Sequence, residues 1–430
     1  MIFTTTTTST FTQEFEELLQ RGKMDMEHVG SIVGNIINEI KTDKNAAVKQ
    51  HIAKFDNWIP ESDFDLKVPT DFMKVAYDNL DDALKAALHM AYERIKDYHE
   101  KQKPRSWFDD ELNGTILGQR VTPVDSAGLY IPGGKAAYPS SLLMNVIPAQ
   151  VAGVENIVVC TPTPDNEIND LLLAACHLCG VENVYRVGGA SAIAAMAYGT
   201  ESIPKVDVIT GPGNIFVATA KKMVYGEVNI DMIAGPSEIG ILADDSANAS
   251  HMAIDLLSQA EHDEMASSIL ITPSQKLADE VKIEIEKWLL ELPRQEIARK
   301  SIEERGAIIV TKTMEEAIYL MNQIAPEHLE VATNSPFELL PLIKHAGAIF
   351  LGHNTPEAIG DYVAGPNHTL PTGGTAKFYS PLGVENFMKK TSIISFSKKG
   401  INEIGEACAL IANTEGLTAH EQSVRVRLDK

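Results

Sequence analysis

Helix-like and strand-like segments alternate along the chain between residues 140 and 240, and this pattern constrains the fold more than any other feature. A helical run at 141–152 precedes an apolar, strand-like run at 156–160, and the same order then recurs three times. A second alternating block extends from 239 to about 350. Alternation of this kind is typical of a parallel sheet whose strands are joined by crossover helices. The predicted fold class is therefore α/β.

Glycine-rich turns follow the predicted strands in this region. They are Pro132–Gly134, Gly188–Ala190, Gly211–Asn214 and Gly235–Ser237. Ligands of open α/β sheets bind at the carboxyl ends of the strands, and glycine lets the backbone approach a phosphate or nucleotide closely. None of the four matches G-x-G-x-x-G, so tight strand-to-helix turns are the alternative interpretation of each.

Composition limits the class of protein. The chain has 430 residues and 44% hydrophobic content, which supports two domains, since single cores stop growing at roughly 250–300 residues. The net charge of -22, from 37 basic and 59 acidic residues, argues against a nucleic-acid partner. It favours a protein that acts on small molecules.

Four cysteines in a chain of this length do not form a disulfide framework. Cys176 and Cys179 have C-x-x-C spacing, but a zinc knuckle needs a second pair, and none exists. We expect these thiols to be buried and reduced. No segment has the composition of a secretory signal or the length of a membrane span, so we predict no membrane association and a location in the cytoplasm, or its bacterial equivalent.

Gln259 and His262 are the first candidate site residues. They lie at the end of a helix-like run and three positions apart, so a helix places both on one face. An oxygen and an imidazole nitrogen then point into the same volume, as in a site for a metal or a polar substrate. Two unrelated surface side chains are the alternative.

Glu327 and His328 are candidate catalytic residues. They follow Pro326, which suits a first helical position, and from a helix start both could lean toward one cleft. Histidine is the natural general base at neutral pH, and a neighbouring carboxylate can activate water. A helix-capping glutamate beside an exposed histidine is the alternative.

Asp361 is predicted at the far end of a short helix that Thr355 caps and Pro356 begins. The helix dipole disfavours a carboxylate there, which suggests a compensating cation, although a solvated aspartate is the alternative.

His420 is the remaining candidate. Thr418 and Glu421 fit a capping box, which puts His420 in the first turn of a C-terminal helix. Together with Gln259, His262 and Asp361, His420 gives a set of two nitrogen and two oxygen ligand atoms. This borderline ligand set suits Zn²⁺, with Mn²⁺ or Co²⁺ as substitutes, and the absence of a thiolate favours a substrate-binding metal site.

At these motifs the chain resembles the histidinol dehydrogenases, over about residues 12 to 428. The segments that carry the resemblance are Tyr130–Gly134, Gly188–Ala190, Gly211–Asn214, Ile230–Met232, Ala234–Glu238, Asp255–His262, Ala325–Leu329, Gly360–His368 and Glu415–His420.

The resemblance implies oxidation of L-histidinol to L-histidine through L-histidinaldehyde, with two NAD⁺. It implies that one Zn²⁺ per subunit binds the imidazole and amino nitrogens of the substrate. The implied metal ligands are Gln259, His262, Asp361 and His420. His328 is the implied general base, and Glu327 the implied activator of water. The implied substrate contacts are Ser237, Glu415, His328 and the four metal ligands, and the implied NAD⁺ contacts are Tyr130, Ser191 and Asn214.

The resemblance also implies a homodimer whose C-terminal segment crosses to the partner. It implies two Rossmann-like parallel-sheet domains of the incomplete dinucleotide-binding type, with small helical appendages at both ends. The implied divisions are a helical segment at 1–25, a discontinuous large domain at 26–128 plus 240–380, an NAD-binding domain at 129–239 and a tail at 381–430.

One residue departs from the family pattern. The family usually has glutamine where this chain has Ser191. Serine is shorter and could reach the cofactor only through water.

Three other functions stay open at this point. The first is a paralogue that oxidises another small alcohol, which the retained Glu415 and His420 argue against. The second is a metal-dependent hydrolase that uses Glu327 and a metal-bound water. The third is a binding protein without catalytic activity.

Overall fold

The computed structural model describes residues 1–20, 26–133 and 138–429. Its strands are β1 (Ile2–Thr5), β2 (Trp107–Asp110), β3 (Ile116–Pro123), β4 (Ser126–Tyr130), β5 (Asn156–Thr161), β6 (Asn183–Arg186), β7 (Val208–Thr210), β8 (Asn229–Ile230), β9 (Glu238–Ala243), β10 (Ser267–Thr272), β11 (Ala307–Val310), β12 (His328–Ala332), β13 (Ala348–Leu351) and β14 (Met388–Ser395).

Its α-helices are α1 (Phe11–Gln20), α2 (Glu27–Asp43), α3 (Asn45–Phe55), α4 (Thr70–Asn79), α5 (Asp82–Glu100), α6 (Pro139–Ala152), α7 (Asp170–Leu178), α8 (Gly189–Tyr198), α9 (Ile215–Val224), α10 (Ala249–Ala260), α11 (Gln275–Leu289), α12 (Gln295–Arg305), α13 (Met314–Ile324), α14 (Pro336–Leu339), α15 (Glu357–Tyr362), α16 (Lys398–Thr414) and α17 (Thr418–Arg425).

Two parallel sheets form the body of the molecule. In the described residues, the larger sheet has the strand order β1-β11-β10-β9-β12-β13 and the smaller one β6-β5-β4-β7-β8. A third, antiparallel sheet, β14-β3-β2, brings the C-terminal tail against residues 107–123. The α/β class predicted from the alternation is confirmed. The division into domains by residue range stays a prediction.

Both parallel sheets are covered by helices on their two faces, because the buried side chains of each strand alternate in direction. In β9, Ile241 joins a core with helices α10, α11 and α12, whereas Leu242 joins the opposite core with α1 and α13. The smaller sheet is packed in the same way, with α5, α6 and α7 on one face and α2, α3, α8 and α9 on the other. The helices therefore cover the faces of the two sheets, not the edges at which the strands begin and end.

The N-terminus differs from the predicted helical segment at 1–25. Ile2–Thr5 forms β1 and pairs with β11 at the edge of the larger sheet, and only then does α1 begin. β-Branched residues such as isoleucine and threonine favour a strand when a neighbouring edge can receive them. Residues 21–25 of that segment lie outside the described part.

Two further expectations concern the cysteines and the membrane. Cys176 and Cys179 are buried with free thiols, as predicted, and burial raises the pKa of Cys176 to about 12. Among the helices of the described residues, none is both long and apolar enough to cross a bilayer.

Candidate active site

One face of α10 and the turn that follows it carry four polar residues toward the edge of the larger sheet. Asp255, Ser258 and Gln259 lie in the helix, and His262 lies two residues beyond its end. Nε2 of Gln259 lies 3.1 Å from Nδ1 of His262, so the prediction that these two residues share a face is confirmed. Gln259 is fully buried, and its Oε1 has no hydrogen-bond partner among the described residues. A buried acceptor without a partner marks a place for a ligand.

Glu327 and His328 do not begin a helix, and the prediction that they do was wrong. His328 is the first residue of β12, a central strand between β9 and β13. All five residues of β12 are buried, and packing on both faces favours a strand over any local helical preference. The two side chains lie at the amino-terminal edge of the larger sheet, because they stand where the chain enters β12.

His328 is held in one orientation by its neighbours. Its Nδ1 lies 3.2 Å from the backbone oxygen of Glu238, to which it can donate, and its Nε2 lies 3.4 Å from Oδ1 of Asp361. Burial alone would lower the pKa of His328. The carboxylates of Glu327, Glu357 and Asp361 outweigh burial and raise the pKa to about 10.

Glu327 is a buried carboxyl group whose ionisation is disfavoured. Its Oε2 accepts a hydrogen bond of 2.9 Å from the backbone N–H of Glu238 and lies 3.7 Å from Nδ1 of His328. Loss of water by burial raises the pKa of Glu327 to about 8, against the opposing charge of His328. A carboxyl group with such a pKa can both give and take a proton near neutral pH.

Helix α15 contributes two carboxylates, Glu357 and Asp361, which are four positions apart on one face. The predicted start of this helix needs correction. Pro356 precedes its first residue, and the Thr355 hydroxyl donates to the oxygen of Leu351 instead of capping. Asp361 does lie in the last turn, as predicted.

Glu357 is a site residue that the sequence analysis missed. Its Oε2 accepts a hydrogen bond of 2.8 Å from the hydroxyl of Ser258, and burial raises its pKa to about 7. Ligand atoms of His328, Glu357 and Asp361 lie within 4.8 Å of one another. The spacing of Glu357 and Asp361 was the signal that could have identified it.

The donors around this point fit a divalent cation. Gln259 offers a buried, unpartnered oxygen, His262 a ring nitrogen and Asp361 a carboxylate, which together form a borderline ligand set. A cation beside these carboxylates would offset their charge, and the pKa of His328 would then fall toward a value that suits a general base.

A cavity of about 1090 Å³ opens beside these groups. His328, Asp361 and His368 line it, together with residues 380–381 and 383–386. Nδ1 of His368 lies 2.8 Å from the backbone oxygen of Asp361, and burial lowers the pKa of the His368 ring. Ser237, a predicted substrate contact, is half-buried in the turn before β9, and its backbone oxygen accepts from Ser267.

The structure does not bring the tail residues to this cavity. His420 lies in the first turn of α17, and Glu415 ends α16, and both are exposed. The predicted capping box is absent, because Leu417 precedes the helix and Glu421 instead accepts from Nε of Arg425 at 2.8 Å. No contact of the described residues joins His420 or Glu415 to Gln259, His262 or Asp361.

A second cavity, of about 550 Å³, lies at the carboxyl ends of β4, β5, β6 and β7. Tyr130, Ser191 and Asn214 all line it, so the three predicted cofactor residues do converge. The Tyr130 hydroxyl accepts a hydrogen bond of 3.2 Å from the backbone N–H of Gly189, and burial raises its pKa to about 12. Asn214 caps α9 by accepting from two backbone N–H groups.

The glycine turns give this cavity its shape. A Cβ atom at Gly211 would lie 2.0 Å from the backbone oxygen of Tyr130, and one at Gly188 would lie 2.4 Å from Cβ of Pro162. Only glycine permits such an approach of the turns to one another. Gly134, part of one predicted glycine turn, lies outside the described residues.

Comparison with known proteins identifies the family. The family model described as histidinol dehydrogenase matches residues 19–428. Histidinol dehydrogenase of Sulfurimonas denitrificans is 82% identical over 100% of both chains, and that of Wolinella succinogenes is 68% identical over 97% of each. A crystal structure of histidinol dehydrogenase from Elizabethkingia anophelis superposes with a TM-score of 0.93 at 37% identity, covering 99% of this chain and 98% of that one. The chain therefore belongs to the histidinol dehydrogenase family.

Proposed function

We propose that this chain oxidises L-histidinol to L-histidine through L-histidinaldehyde, with two NAD⁺, and that Glu327 and His328 carry the proton transfers. As a member of its family the chain is an NAD-dependent oxidoreductase of histidine biosynthesis. The observation that carries the residue assignment is the pair of buried titratable side chains at the start of β12, beside the unpartnered Gln259 oxygen.

Gln259, His262 and Asp361 would hold a Zn²⁺ ion, for which Mn²⁺ or Co²⁺ could substitute, together with His420 from a second copy of the chain. When bound, the metal holds the imidazole and amino nitrogens of the substrate. Support comes from the orphaned oxygen of Gln259 and from the crowding of His328, Glu357 and Asp361 within 4.8 Å. Ser237 and Glu415 are proposed substrate contacts.

His328 acts in the first oxidation. Because its Nδ1 can donate to the oxygen of Glu238, the neutral ring has a free lone pair on Nε2, on the side of Asp361 and the cavity. Nε2 takes the proton of the substrate hydroxyl as a hydride leaves the same carbon, and the aldehyde forms.

Glu327 acts in the second oxidation. Water must add to the aldehyde carbon before a second hydride can leave, and the carboxylate of Glu327 takes a proton from that water. A pKa of about 8 leaves both forms of Glu327 available near neutral pH. The hydrate anion formed in this way then loses a hydride to give the carboxylic acid, which releases a proton and becomes the carboxylate of histidine.

The second cavity would bind NAD⁺, which accepts the hydride in each step. Tyr130, Ser191 and Asn214 line it, and residues at the amino ends of α8 and α9 form part of its wall. Helix amino ends favour a pyrophosphate.

A homodimer with exchanged tails would complete the site. His420 and Glu415 do not line the cavity of their own chain. The tail and strand β2 of the antiparallel sheet that the tail joins expose large apolar side chains, among them Trp107, Ile394 and Leu410. Apolar surface of this kind marks a protein interface. We place the enzyme in the cytoplasm, without a nucleic-acid or membrane partner.

The test is the stoichiometry of purified, zinc-loaded protein supplied with L-histidinol. Two NADH and one L-histidine per histidinol are expected, measured by absorbance and by chromatography. A small alcohol that lacks the imidazole serves as the control. Faster turnover of that alcohol would favour the paralogue reading, and hydrolysis of an ester or amide without NADH formation would favour a hydrolase.

A further inference from the structure

Ser191 takes part in a chain of hydrogen bonds with two residues, His51 and Glu39, that no sequence motif connected with it. Its hydroxyl lies 2.8 Å from Nδ1 of His51, in α3, and Nε2 of the same ring lies 2.7 Å from Oε2 of Glu39, in α2. His51 and Ser191 are buried, and both line the second cavity. Three helices thus supply one chain of hydrogen bonds that ends at the wall of the cavity.

Glu39, at the exposed end of this chain of hydrogen bonds, determines which groups donate and which accept along it. Glu39 is exposed, and a carboxylate can only accept hydrogen bonds, so Nε2 of His51 must carry the ring proton. A neutral ring then has a bare Nδ1, which can only accept. In that neutral form the hydroxyl of Ser191 gives its proton to His51, and the lone pairs of its oxygen are left for the cavity.

We propose that His51 and Glu39 are positioning residues that make Ser191 a hydrogen-bond acceptor toward a donor group of the bound dinucleotide. The inference rests on the proposed binding of NAD⁺ in the second cavity. It adds to that proposal that Ser191 accepts, and does not donate, the hydrogen bond to the dinucleotide. The ligand group must be an N–H or O–H donor, which NAD⁺ offers at the carboxamide, at the ribose hydroxyls and at the adenine amino group.

The hydrogen bond to His51 fixes Ser191 as an acceptor toward the cavity. The hydroxyl has only one proton, and His51 takes it, so rotation of Ser191 cannot turn the group into a donor while the His51–Glu39 pair persists. A ligand acceptor placed there would meet lone pairs and would be rejected. The pair therefore selects for a donor at this point of the cofactor.

Binding of NAD⁺ to the metal-loaded enzyme, measured by calorimetry, gives the first test. Ser191→Ala should weaken binding about 3- to 10-fold, as expected for one neutral hydrogen bond. Ser202→Ala is the matched control, because its hydroxyl accepts from Asn45 of the same helix α3 at 2.8 Å but does not line the cavity. This control should bind NAD⁺ as the wild type does.

Two analogues identify the donor. 3-Acetylpyridine adenine dinucleotide lacks the carboxamide N–H, and nicotinamide hypoxanthine dinucleotide lacks the adenine amino group. If Ser191→Ala weakens the binding of NAD⁺ but not that of one analogue, the group that this analogue lacks is the donor to Ser191. Equal weakening of NAD⁺ and both analogues assigns the contact to a ribose hydroxyl.

The proton on His51 gives a readout that a purely structural role would not move. Long-range ¹H–¹⁵N spectra of histidine-labelled protein in its NAD⁺ complex should show a protonated Nε2 and a bare Nδ1, the signal being assigned by its loss in His51→Asn. Glu39→Gln, whose amide can also donate to the ring, should allow the other tautomer to appear. It should weaken NAD⁺ binding less than Ser191→Ala does.

Two results would overturn the inference while the proposed function stands. They are normal NAD⁺ affinity of Ser191→Ala, and a proton on Nδ1 of His51 in the complex. A wild-type protein that does not bind NAD⁺ at all would instead count against the proposed function itself.

Discussion

The ammonium group of Lys221 and the carboxylate of Asp231 form a buried ion pair beneath the turn that begins at Gly211. Both partners also hold that turn. Lys221 donates to the backbone oxygen of Gly211 at 2.9 Å, and Oδ2 of Asp231 accepts from the backbone N–H of Gly211 at 2.9 Å. The same turn leads to Asn214 in the second cavity. An ion pair far from solvent thus fixes the position of a proposed cofactor contact.

Lys221→Met should therefore destabilise the protein by about 3–5 kcal/mol, because it leaves the carboxylate of Asp231 buried without its counter-charge. The double variant with Asp231→Leu should recover part of that loss, since no charge then stays buried. Urea denaturation of the three proteins measures the difference. A single variant as stable as the wild type would mean that the pair does not form.

The tail should serve the neighbouring subunit. His262→Asn and His420→Asn should each lose the metal and the activity, because each removes one proposed ligand. A mixture of the two inactive proteins should recover up to about a quarter of wild-type activity after subunit exchange, since half the dimers are mixed and half their sites are intact. Exchange verified by mass spectrometry without any recovered turnover would place His420 at the site of its own chain.

The two proton-transfer residues should separate the two oxidations. Glu327→Gln should slow the oxidation of supplied L-histidinaldehyde about 10²- to 10⁴-fold and the oxidation of histidinol to the aldehyde much less. His328→Asn is the matched variant, because it can keep a donor near the oxygen of Glu238, and it should impair the alcohol step. Single-turnover NADH formation from each substrate measures both. The opposite pattern would exchange the two roles.

Gln259→Met should make the metal-free protein more stable, because it replaces a buried oxygen without a partner by an apolar group of similar size. The cost of an unsatisfied buried polar group, about 1–3 kcal/mol, is recovered, less about 0.5–1.5 kcal/mol for the lost contact between Nε2 of Gln259 and Nδ1 of His262. Added Zn²⁺ should then no longer stabilise the variant, whereas it stabilises the wild type by ligand binding. Gln150→Met, which removes a 2.6 Å hydrogen bond to the oxygen of Cys179, is the control and should lose stability.

Acid should destabilise the protein partly through His99. This residue is buried, and burial lowers the pKa of its ring although its Nδ1 donates to the oxygen of Ile95. The unfolded chain therefore binds a proton more readily than the folded one. Stability is unaffected well above pH 6.5 and declines as the pH falls below it, by at most about 1.4 kcal/mol per pH unit from this group.

His99→Asn can keep the bond to Ile95 and removes the titration, so the stability of this variant should depend less steeply on pH between about 6.5 and 5. His89→Asn, on the exposed side of the same helix, is the control and should leave the slope unchanged. Denaturant midpoints across this pH range measure it. Equal slopes for His99→Asn and the wild type would show that another group dominates.

The sequence alone determined the features that depend on local spacing. Alternating runs of residues identified a parallel α/β fold, because period and length distinguish helices from strands. The spacing of Gln259 and His262 brought their side chains together at the end of α10, because three residues make nearly one helical turn. The motifs from Tyr130 to His420 indicated the family, since they are many and lie throughout the chain.

Only the tertiary structure decided the features that depend on residues distant in sequence. Burial between β9 and β13 made a strand of the segment at His328, where local preference suggested a helix. The pKa values of Glu327 and His328 follow from lost water and from carboxylates on other elements, so no local pattern could give them. The chain of hydrogen bonds from Glu39 through His51 to Ser191 joins three helices, and it exists because packing over the smaller sheet brings them together.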